Sequence, residues 1–506
     1  MSKIFNLKDN RGIMLVAAYL VVTVLLILGI AFFSRGYHES KMALRHKYST
    51  QALCLAEAGI ERAFYDLDED FNNDTTPSWA DGDINGITCG PDEDAFYALY
   101  AATGLGEGTY QVMLRNIPDE EGRIWVQSTG TAHNITRTVQ VYLRANRLCV
   151  WDNVIFAGTG ATGQVINGNV DIRGSVHILG TDLADGEFAI DMSGDGGIGN
   201  NYDNIPDALK NKLPDLETEE YNGEDVQTLD ATLRVKNGLV GLSGSSTIGD
   251  EDEPLNEIKE TMDGVYVTDG YGGTQDPPLI YSDNGRDNSY DYGDNFSFPT
   301  LTTGAYGGFD SYQEYFESIA YCITDAGKLA QLASINPTST FNYTDPDGKG
   351  SISMNNGLMT VSGCIYIAGA FNINQVVGHV EHGVDRTTVN YTGTASILTT
   401  EDIGINANFT TSGDDSFPTN VIGFMTPGDI VCSSSQIDVT GLFYAEGSIS
   451  ATQQTDVAGV FVSNYFDMGA QVPSIFQVPE VINNLPDGLI GSDSTWTVDV
   501  VSWQEQ

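Results

Sequence analysis

An uncharged apolar run near the N-terminus constrains this chain more than any other feature. Ile13 to Phe33 is a stretch of 21 residues without a charged side chain. At a rise of about 1.5 Å per residue, a helix of that length crosses a hydrocarbon core of about 30 Å. The run therefore predicts one transmembrane helix surrounded by membrane lipid.

The residues that flank the run bear on its orientation and its fate. Lys3, Lys8 and Arg11 precede it and favour a cytoplasmic N-terminus, but basic residues also follow it, so charge alone decides little. A cleaved secretory signal would have a shorter apolar run followed by a small-residue cleavage site. This run ends in bulky Phe32-Phe33 and the helical pattern continues, which favours a retained anchor.

Small residues mark one face of the continuing helix. Ala52, Ala56, Gly59 and Ala63 recur at spacings of four, three and four, as on one side of a helix. Such a face lets another element approach closely. The sequence leaves two partners open, a helix of another subunit and the protein's own globular part.

Two short motifs frame the apolar run. Arg11-Gly12 lies before it, and Leu55-Ala56-Glu57-Ala58-Gly59-Ile60-Glu61-Arg62-Ala63 lies after it. Over about residues 8 to 68 the chain resembles PilX-type minor pilins of the type IV pilin-like (pseudopilin) family. The resemblance implies cleavage by a prepilin peptidase between Gly12 and Ile13, commonly with methylation of the new N-terminus. It also implies assembly with other pilins or pseudopilins and with the pilus assembly machinery.

One residue departs from the pattern of major pilins. Those proteins carry a glutamate at the fifth mature position, which here is Ala17. In the family that carboxylate is thought to pair with a neighbour's N-terminal amine in the apolar core. Subunits without it resemble tip or initiating minor pilins, so Ala17 points away from a bulk structural subunit.

An acidic, irregular stretch follows the helix. Asp81, Asp83, Asn85 and Asp92 match the spacing of a calcium loop, with Gly86 at the sharp turn. Acidic turns of this composition are common without a metal, and no clear helix follows. The sequence therefore predicts no obligatory cofactor and leaves calcium as an alternative. A second Asp/Gly turn, Asp345 to Gly350, has a lysine at a ligand position.

Alternating apolar residues then predict a small antiparallel meander. The strand faces are Tyr110/Val112/Leu114, Ile124/Val126/Ser128 and Val139/Val141/Leu143. A sheet at this place resembles the one that commonly follows the helix in PilX-like proteins.

Beyond Cys149 short apolar pairs recur near glycines, as at Val170/Ile172 and Val176/Ile178. Several glycines are separated by multiples of six: Gly363, Gly369, Gly393, Gly423, Gly441, Gly447 and Gly459. Turns at a short period favour a parallel β-helix or similar solenoid, with a β-sandwich as the alternative. The pattern is interrupted from about 200 to 342, where loops and a short helix from Ser311 to Leu332 are expected.

The predicted fold class is α+β, mainly β. A cytoplasmic leader (1–12), a transmembrane and amphipathic pilin-like helix (13–68) and a small antiparallel domain (69–148) precede a large right-handed solenoid-like domain (149–506). The bulk would lie in the periplasm or outside the cell, on a single-pass anchor in the cytoplasmic membrane.

Charge and motifs restrict the function. The formal net charge of −46 repels nucleic acid phosphates, and no Lys/Arg-rich patch lies in the predicted folded part. Six scattered cysteines contain no CxxC pair, and sequence cannot assign disulfides. No nucleophile, zinc or phosphate-loop motif occurs, and carboxylate pairs such as Glu401/Asp402 and Asp414/Asp415 are expected by chance. His177, His379 and His382 are isolated.

These observations favour a non-enzymatic minor pilin or pseudopilin whose β-rich region serves tip, initiation or adhesion roles. Two alternatives remain. A membrane-tethered β-helix enzyme could act on polysaccharide, or solenoids stacked end to end could form a structural polymer.

Overall fold

A computed structural model describes residues 10–73, 79, 83–84, 87–88, 96–117, 123–158, 166–293, 296–376, 387–451, 453–468, 473–492 and 495–505. The described chain divides into two compact units. Unit 1 contains residues 1–148 together with 495–506, and unit 2 contains residues 149–494.

Unit 1 begins with one long helix, Asn10–Asn73, of 64 residues. Its sequence is rich in Ala and Leu and contains no proline, so no backbone donor is lost within it. The helix extends past the predicted end at residue 68 to Asn73, and Asp70 in this extension is buried. Pro77 follows shortly after the helix end, as is common.

An antiparallel five-stranded sheet packs on the second half of this helix. Its apolar face is buried, and Val112, Val126 and Val141 have no exposed surface. Ile60 and Leu67 of the helix pack against this face. The strands, in spatial order, are Tyr97–Leu105, Gly108–Asn116, Arg123–Ala132, Ile135–Leu148 and Thr495–Glu505.

The last strand corrects the predicted domain boundary at the C-terminus. Residues 149–506 were expected to form one β-rich domain, but Thr495–Glu505 pairs antiparallel with Ile135–Leu148 in unit 1. Its inward Val498 joins the core under the helix and is 6% exposed. The alternating pattern of this strand resembles any other strand in the chain, so its partner could not be read from sequence.

In the residues that the structure describes, unit 2 contains three ladders of parallel strands, which the chain visits in the repeating order first, second, third. We call three successive strands, one in each ladder, a coil. The first ladder contains, in spatial order, Tyr321–Ile323, Leu358–Ile367, Thr394–Thr399, Val421–Thr426, Ile437–Ser450, Thr455–Asp467, Ile155–Ala157, Val176–Ile178, Thr232–Val235 and Gly264–Val267.

The two other ladders share the long strands Ile437–Ser450 and Thr455–Asp467, which bend from one ladder to the next. The second ladder adds Phe371–Asn374, Ile403–Asn406, Ile430–Val431, Ile166–Gly168, Phe188–Met192, Leu239–Leu242 and Tyr271–Gly273. The third adds Thr388–Thr392, Asn408–Thr411, Ser474–Phe476, Asp171–Arg173, Gly197–Gly199, Thr247–Ile248 and Leu279–Ile280.

The chain enters this unit in the middle of the ladders. Ile155–Ala157 pairs on one side with Val176–Ile178, the next coil along the sequence. On its other side it pairs with Thr455–Asp467, which comes about 300 residues later. The connection before Tyr321–Ile323 therefore carries the chain from one end of the ladders to the other, and the second half stacks back toward the first.

The predicted interruption from 200 to 342 is wrong in its middle part. Thr232–Val235 and Gly264–Val267 belong to the first ladder and pair in register with each other. Their coils carry long surface loops, which dilute the repeat in the sequence. The number of residues between paired positions of neighbouring coils is not constant either. Gly441 pairs with Gly459, which is close to it in the sequence, whereas Val176 pairs with the much more distant Leu233.

The interior of unit 2 is a continuous apolar column. Phe424 and Phe443 stack with ring centroids 5.6 Å apart, and Phe443 meets Phe461 edge-on at 5.4 Å. The Nδ2 atom of Asn406 donates to the Oδ1 atom of Asn374 at 3.3 Å, so polar side chains at paired positions of neighbouring coils also bond to each other. Each coil thus buries its apolar face on the next.

A second apolar layer covers the outer face of the first ladder. Phe156, Met425 and Tyr444 point outward from the ladder and are fully buried. Phe298 and Phe316 of the long connection lie in the same cluster. The outer face of this ladder is therefore largely covered by the protein's own chain.

The helix expected from Ser311 to Leu332 is two helices with a strand between them. Tyr312–Ile319 is capped by Ser311, whose side chain accepts from Glu314 N at 3.2 Å. Ala326–Leu332 is capped by Asp325. Tyr321–Ile323 lies between them because its alternate residues Tyr321 and Ile323 fill the end of the interior column.

Shorter elements complete the fold. They are the hairpins Asp83–Ile84/Ile87–Thr88, Thr218–Tyr221/Glu224–Gln227 and Phe341–Thr344/Gly350–Asn355, the helix Asp207–Lys210, and the 3-10 helices Val150–Asp152 and Pro479–Asn483.

Replacement of Gly59 by leucine should loosen unit 1. A Cβ atom at Gly59 would meet Ser128, Tyr110 and Val112 at 3.1 Å or less, so a leucine forces helix and sheet apart. Overpacking of this kind costs about 1–3 kcal/mol. Hydrogen exchange of the strands Gly108–Asn116 and Arg123–Ala132, followed by mass spectrometry, should accelerate.

The matched control is Gly36→Leu on the same helix, where a Cβ atom meets nothing within 4 Å. It should leave exchange in those strands unchanged. Equal exchange in both variants would contradict the close approach at Gly59.

Candidate functional site: the N-terminal helix and the charged clusters

The first half of the long helix is apolar and exposed. Every described side chain from Ile13 to Lys47 is exposed, with Tyr19 at 76% and Phe33 at 78%. Within the described residues this is the one helix long and apolar enough to cross a membrane. Water alone does not accommodate such a surface, so the half-helix needs an apolar environment.

The predicted processing residues lie at the start of this helix. Gly12 is in its first turn and Ile13 follows, with a side chain that is 53% exposed. Ala17 lies one turn later and is exposed. No acidic residue occurs between Ile13 and His38, so this half-helix presents no carboxylate to a neighbour.

The small-residue face lies against the protein's own sheet. Ala52, Ala56 and Ala63 have no exposed surface, and Gly59 is also buried. The contact is close on both sides, because a Cβ atom at Gly130 of the sheet would clash with the helix backbone at Ala52 and Ala56. Of the two partners that the sequence left open, the structure contains the protein's own domain.

A polar contact that sequence reasoning missed holds the second half of the helix on the sheet. Arg62 donates from Nη1 to the Tyr110 hydroxyl at 3.1 Å, and its guanidinium lies 4.4 Å from the centroid of the Tyr100 ring. The Tyr100 hydroxyl donates to Asp66. Burial, reinforced by this bond to Asp66, raises the pKa of Tyr100 well above its ordinary value. Arg62 of the motif at residues 55–63 thus serves the helix–sheet contact.

The predicted calcium residues are mostly outside the described part of the chain. Asp81, Asn85 and Asp92 lie there, and of Asp83 only the backbone is described, in the hairpin Asp83–Ile84/Ile87–Thr88. Calcium at this loop stays a prediction. In the second Asp/Gly turn, Asp345 accepts from the backbone N of Lys349 at 3.0 Å and closes a hairpin turn.

Unit 2 contains a carboxylate cluster that the sequence did not indicate. Oxygen atoms of Glu219, Asp230 and Asp263 lie within 4.8 Å of one another. Lys259, whose side chain is 3% exposed, donates to Asp263 and, at 3.1 Å, to Glu219. Its ammonium also lies 3.2 Å from Asp283. The ammonium of Lys259 therefore supplies one positive charge among these carboxylates.

The surroundings of the cluster shift the pKa values of Lys259 and Asp263. Burial alone would lower the pKa of Lys259, but its hydrogen bonds with Asp263 and Glu219 outweigh burial and raise it. Burial raises the pKa of Asp263, although Lys259 opposes that effect. These residues come from a hairpin, a turn and an irregular segment, so no sequence spacing marks them.

His177 and Arg234 both interact with neighbouring charged or aromatic side chains of unit 2. His177 is 1% exposed, and burial, followed by the charges of Arg234 and Lys236, lowers its pKa well below the ordinary value. Arg234 donates to both oxygens of Asp291, at 3.1 and 3.0 Å.

One member of each carboxylate pair, Glu401/Asp402 and Asp414/Asp415, also has a partner within the protein. Asp402 accepts from the backbone N of Asp429 at 2.9 Å, and Asp414 lies 3.9 Å from the ammonium of Lys212. His379 and His382 lie outside the described residues.

The fold is similar to that of a solved pilin. The crystal structure of the competence-associated pilin ComZ from Thermus thermophilus aligns with a TM-score of 0.51 and 18% sequence identity. The alignment covers 91% of this chain and 97% of that chain. This chain therefore has a pilin-like fold. No protein-family model matches the sequence, and neither does any curated protein.

Replacement of Lys259 by methionine should destabilise unit 2 at neutral pH. It leaves three or more carboxylates without their cation, which costs about 1–3 kcal/mol for partly exposed groups. Thermal unfolding at pH 7.5, followed by near-ultraviolet circular dichroism, should occur at a lower temperature than in the wild type.

The defect should shrink on acidification. Burial already holds the pKa values of Asp230 and Asp263 above their ordinary values, and loss of the opposing Lys259 charge raises both further. Protonation of these two groups then favours the folded variant as the pH falls from about 7 toward 4. Lys210→Met, at an exposed helix end, is the control and should show no such recovery. Equal defects at pH 7.5 and 5 would contradict the cluster's role.

Proposed function

We propose that this chain is a membrane-anchored minor pilin or pseudopilin of a type IV pilus-like assembly. The observation that carries the proposal is the division of one continuous helix into two halves. Its first half is apolar and exposed, and its second half packs by small residues on an antiparallel sheet. The similarity of fold to a competence-associated pilin supports the same proposal.

In this proposal the exposed half has two successive environments. Before assembly, membrane lipid surrounds residues 13–33 and anchors the chain by a single pass with its N-terminus in the cytoplasm. After cleavage between Gly12 and Ile13 by a prepilin peptidase, and methylation, the same surface packs against the helices of other pilins. The PilX-like motif from Leu55 to Ala63 supports this more specific assignment.

Unit 2 would form a right-handed parallel β-helix that serves as an extracytoplasmic head. The repeated order of three parallel ladders supports the β-helix, because each coil contributes one strand to each ladder. The head would act in tip, initiation or adhesion roles. Its long surface loops, such as residues 281–293, give it a varied outer surface.

A non-enzymatic role is part of the proposal. The outer face of the first ladder, a broad surface on which a substrate could bind, is covered by the connection that contains Phe298 and Phe316. The polar side chains of His177, Arg234 and Asp402 make internal hydrogen bonds. This arrangement supports a binding or structural head over a polysaccharide-active enzyme.

A low copy number at a filament end follows from Ala17. Without a carboxylate there, a neighbour's terminal amine in the apolar core would be unpaired, at a cost of several kcal/mol. Internal addition would then be disfavoured against subunits that carry the glutamate.

Cleavage at Gly12 is the first test. Mass spectrometry of the mature protein from cells that express a prepilin peptidase should give Ile13 as the N-terminal residue, with or without a methyl group. Gly12→Leu should leave the full-length precursor in the membrane fraction, because a bulky residue blocks the junction.

Gly36→Leu lies on the same helix and serves as the control, which should be processed normally. A mature protein that begins near residue 35, or that retains Met1 in the presence of the peptidase, would refute the pilin assignment.

The position in the filament is the second test. Immunogold labelling with antibody against unit 2 should mark one end of each filament, and fewer filaments should form when the protein is absent. Ala17→Glu should allow labelling at internal positions, because it restores a carboxylate for the neighbouring amine. Uniform labelling by the wild-type protein would instead make it a bulk subunit.

A further inference from the structure

A basic stripe follows the apolar run on the same helix. Arg35, His38, Lys41 and Arg45 recur at spacings of three, three and four, which places them on one face of the helix. All four are exposed. The one acidic residue from 34 to 47 is Glu39, which pairs with Arg35 at 2.9 Å. The stripe is therefore net positive in a chain whose formal charge is −46.

We propose that this basic stripe binds the phosphate groups of anionic lipids in the membrane leaflet from which the chain emerges. The inference rests on the proposed membrane anchor. If residues 13–33 span the hydrocarbon core, Arg35 lies at the level of the headgroups, only about 3 Å further along the helix axis than Phe33.

Helix geometry brings the remaining members within reach of the same layer. The Cα–Cβ bonds of a helix tilt toward its N-terminus, which here points into the membrane. The long side chains of Lys41 and Arg45 therefore lean back toward the headgroups. They lie about 12 and 18 Å beyond Phe33 along the axis, before side-chain length and helix tilt shorten the distance.

Charge and continuity favour lipid over an acidic protein as the occupant. The stripe continues directly from the lipid-facing surface, and a basic residue near an anionic membrane surface contributes about 1 kcal/mol to binding. Basic residues are normally depleted on the extracytoplasmic side of a membrane, where the proposed orientation puts this stripe. Binding to anionic lipid would explain their presence there. Binding would hold the subunit in the membrane until assembly extracts it.

The test uses the full chain in nanodiscs that contain phosphatidylcholine and phosphatidylglycerol. Native mass spectrometry of the released protein should show phosphatidylglycerol retained in about tenfold preference over phosphatidylcholine at 0.1 M salt. The triple variant Arg35→Gln, Lys41→Gln, Arg45→Gln should lose most of that preference. Raising the salt to 1 M should do the same in the wild type, since the Debye length falls from about 10 to 3 Å.

A matched triple variant removes the same net charge elsewhere. Lys47→Gln lies off the stripe on the same helix, whereas Lys210→Gln and Arg286→Gln lie on unit 2. All three of these residues are exposed. This variant should keep the lipid preference. An equal loss in both variants, or no preference in the wild type, would overturn the proposal.

Two further outcomes distinguish failure of the lipid-binding proposal from failure of the membrane anchor on which it rests. Flotation of the wild type and the stripe variant with pure phosphatidylcholine vesicles supports the anchor independently of the stripe, and failure to float would overturn both. If the wild type shows no lipid preference but the stripe variant alone fails to co-purify with pilin subunits, the stripe binds a protein and the lipid proposal is wrong.

Discussion

The pairing of Thr455–Asp467 with Ile155–Ala157 is the contact on which unit 2 depends. It joins two stacks of coils that are built from different halves of the sequence. Without it, each stack would end in an open parallel edge with unpaired backbone groups and an uncovered apolar column. Ile155 lies between Phe461 and Val176 in register, so a single interior column runs through the junction. The ladders on both sides can then propagate with one fixed register.

The sequence was most informative where residues interact with near neighbours in the chain. The run from Ile13 to Phe33 and the alternation at Val112, Val126 and Val141 each reflect a local period, and the structure contains the corresponding helix and strands. The small face at Ala52, Ala56 and Gly59 was also evident as a pattern. Its partner was not, because a close approach requires small residues whatever element approaches, and Gly130 lies on a strand that no spacing connects to the helix.

The sequence was least informative where a fold depends on distant pairing. The strand Thr495–Glu505 and the middle coils near Thr232 and Gly264 carry ordinary strand patterns, and register with distant partners decides where they belong. The same holds for Lys259 and its carboxylates, because in a chain with 69 acidic residues the proximity of three of them carries no sequence signal. Only the outcome of folding distinguishes the acids that surround a buried ammonium from those that solubilise the surface.

The position of Thr495–Glu505 has a consequence for biogenesis. Because this strand completes the sheet of unit 1 yet follows all of unit 2 in the sequence, the sheet cannot close until the whole of unit 2 has been synthesised. The slow step in maturation is then a long-range loop closure whose ends are separated by an entire second unit. Premature termination anywhere in the second unit would leave the Ile135–Leu148 edge unpaired, and its free backbone groups are a feature that proteases and chaperones recognise.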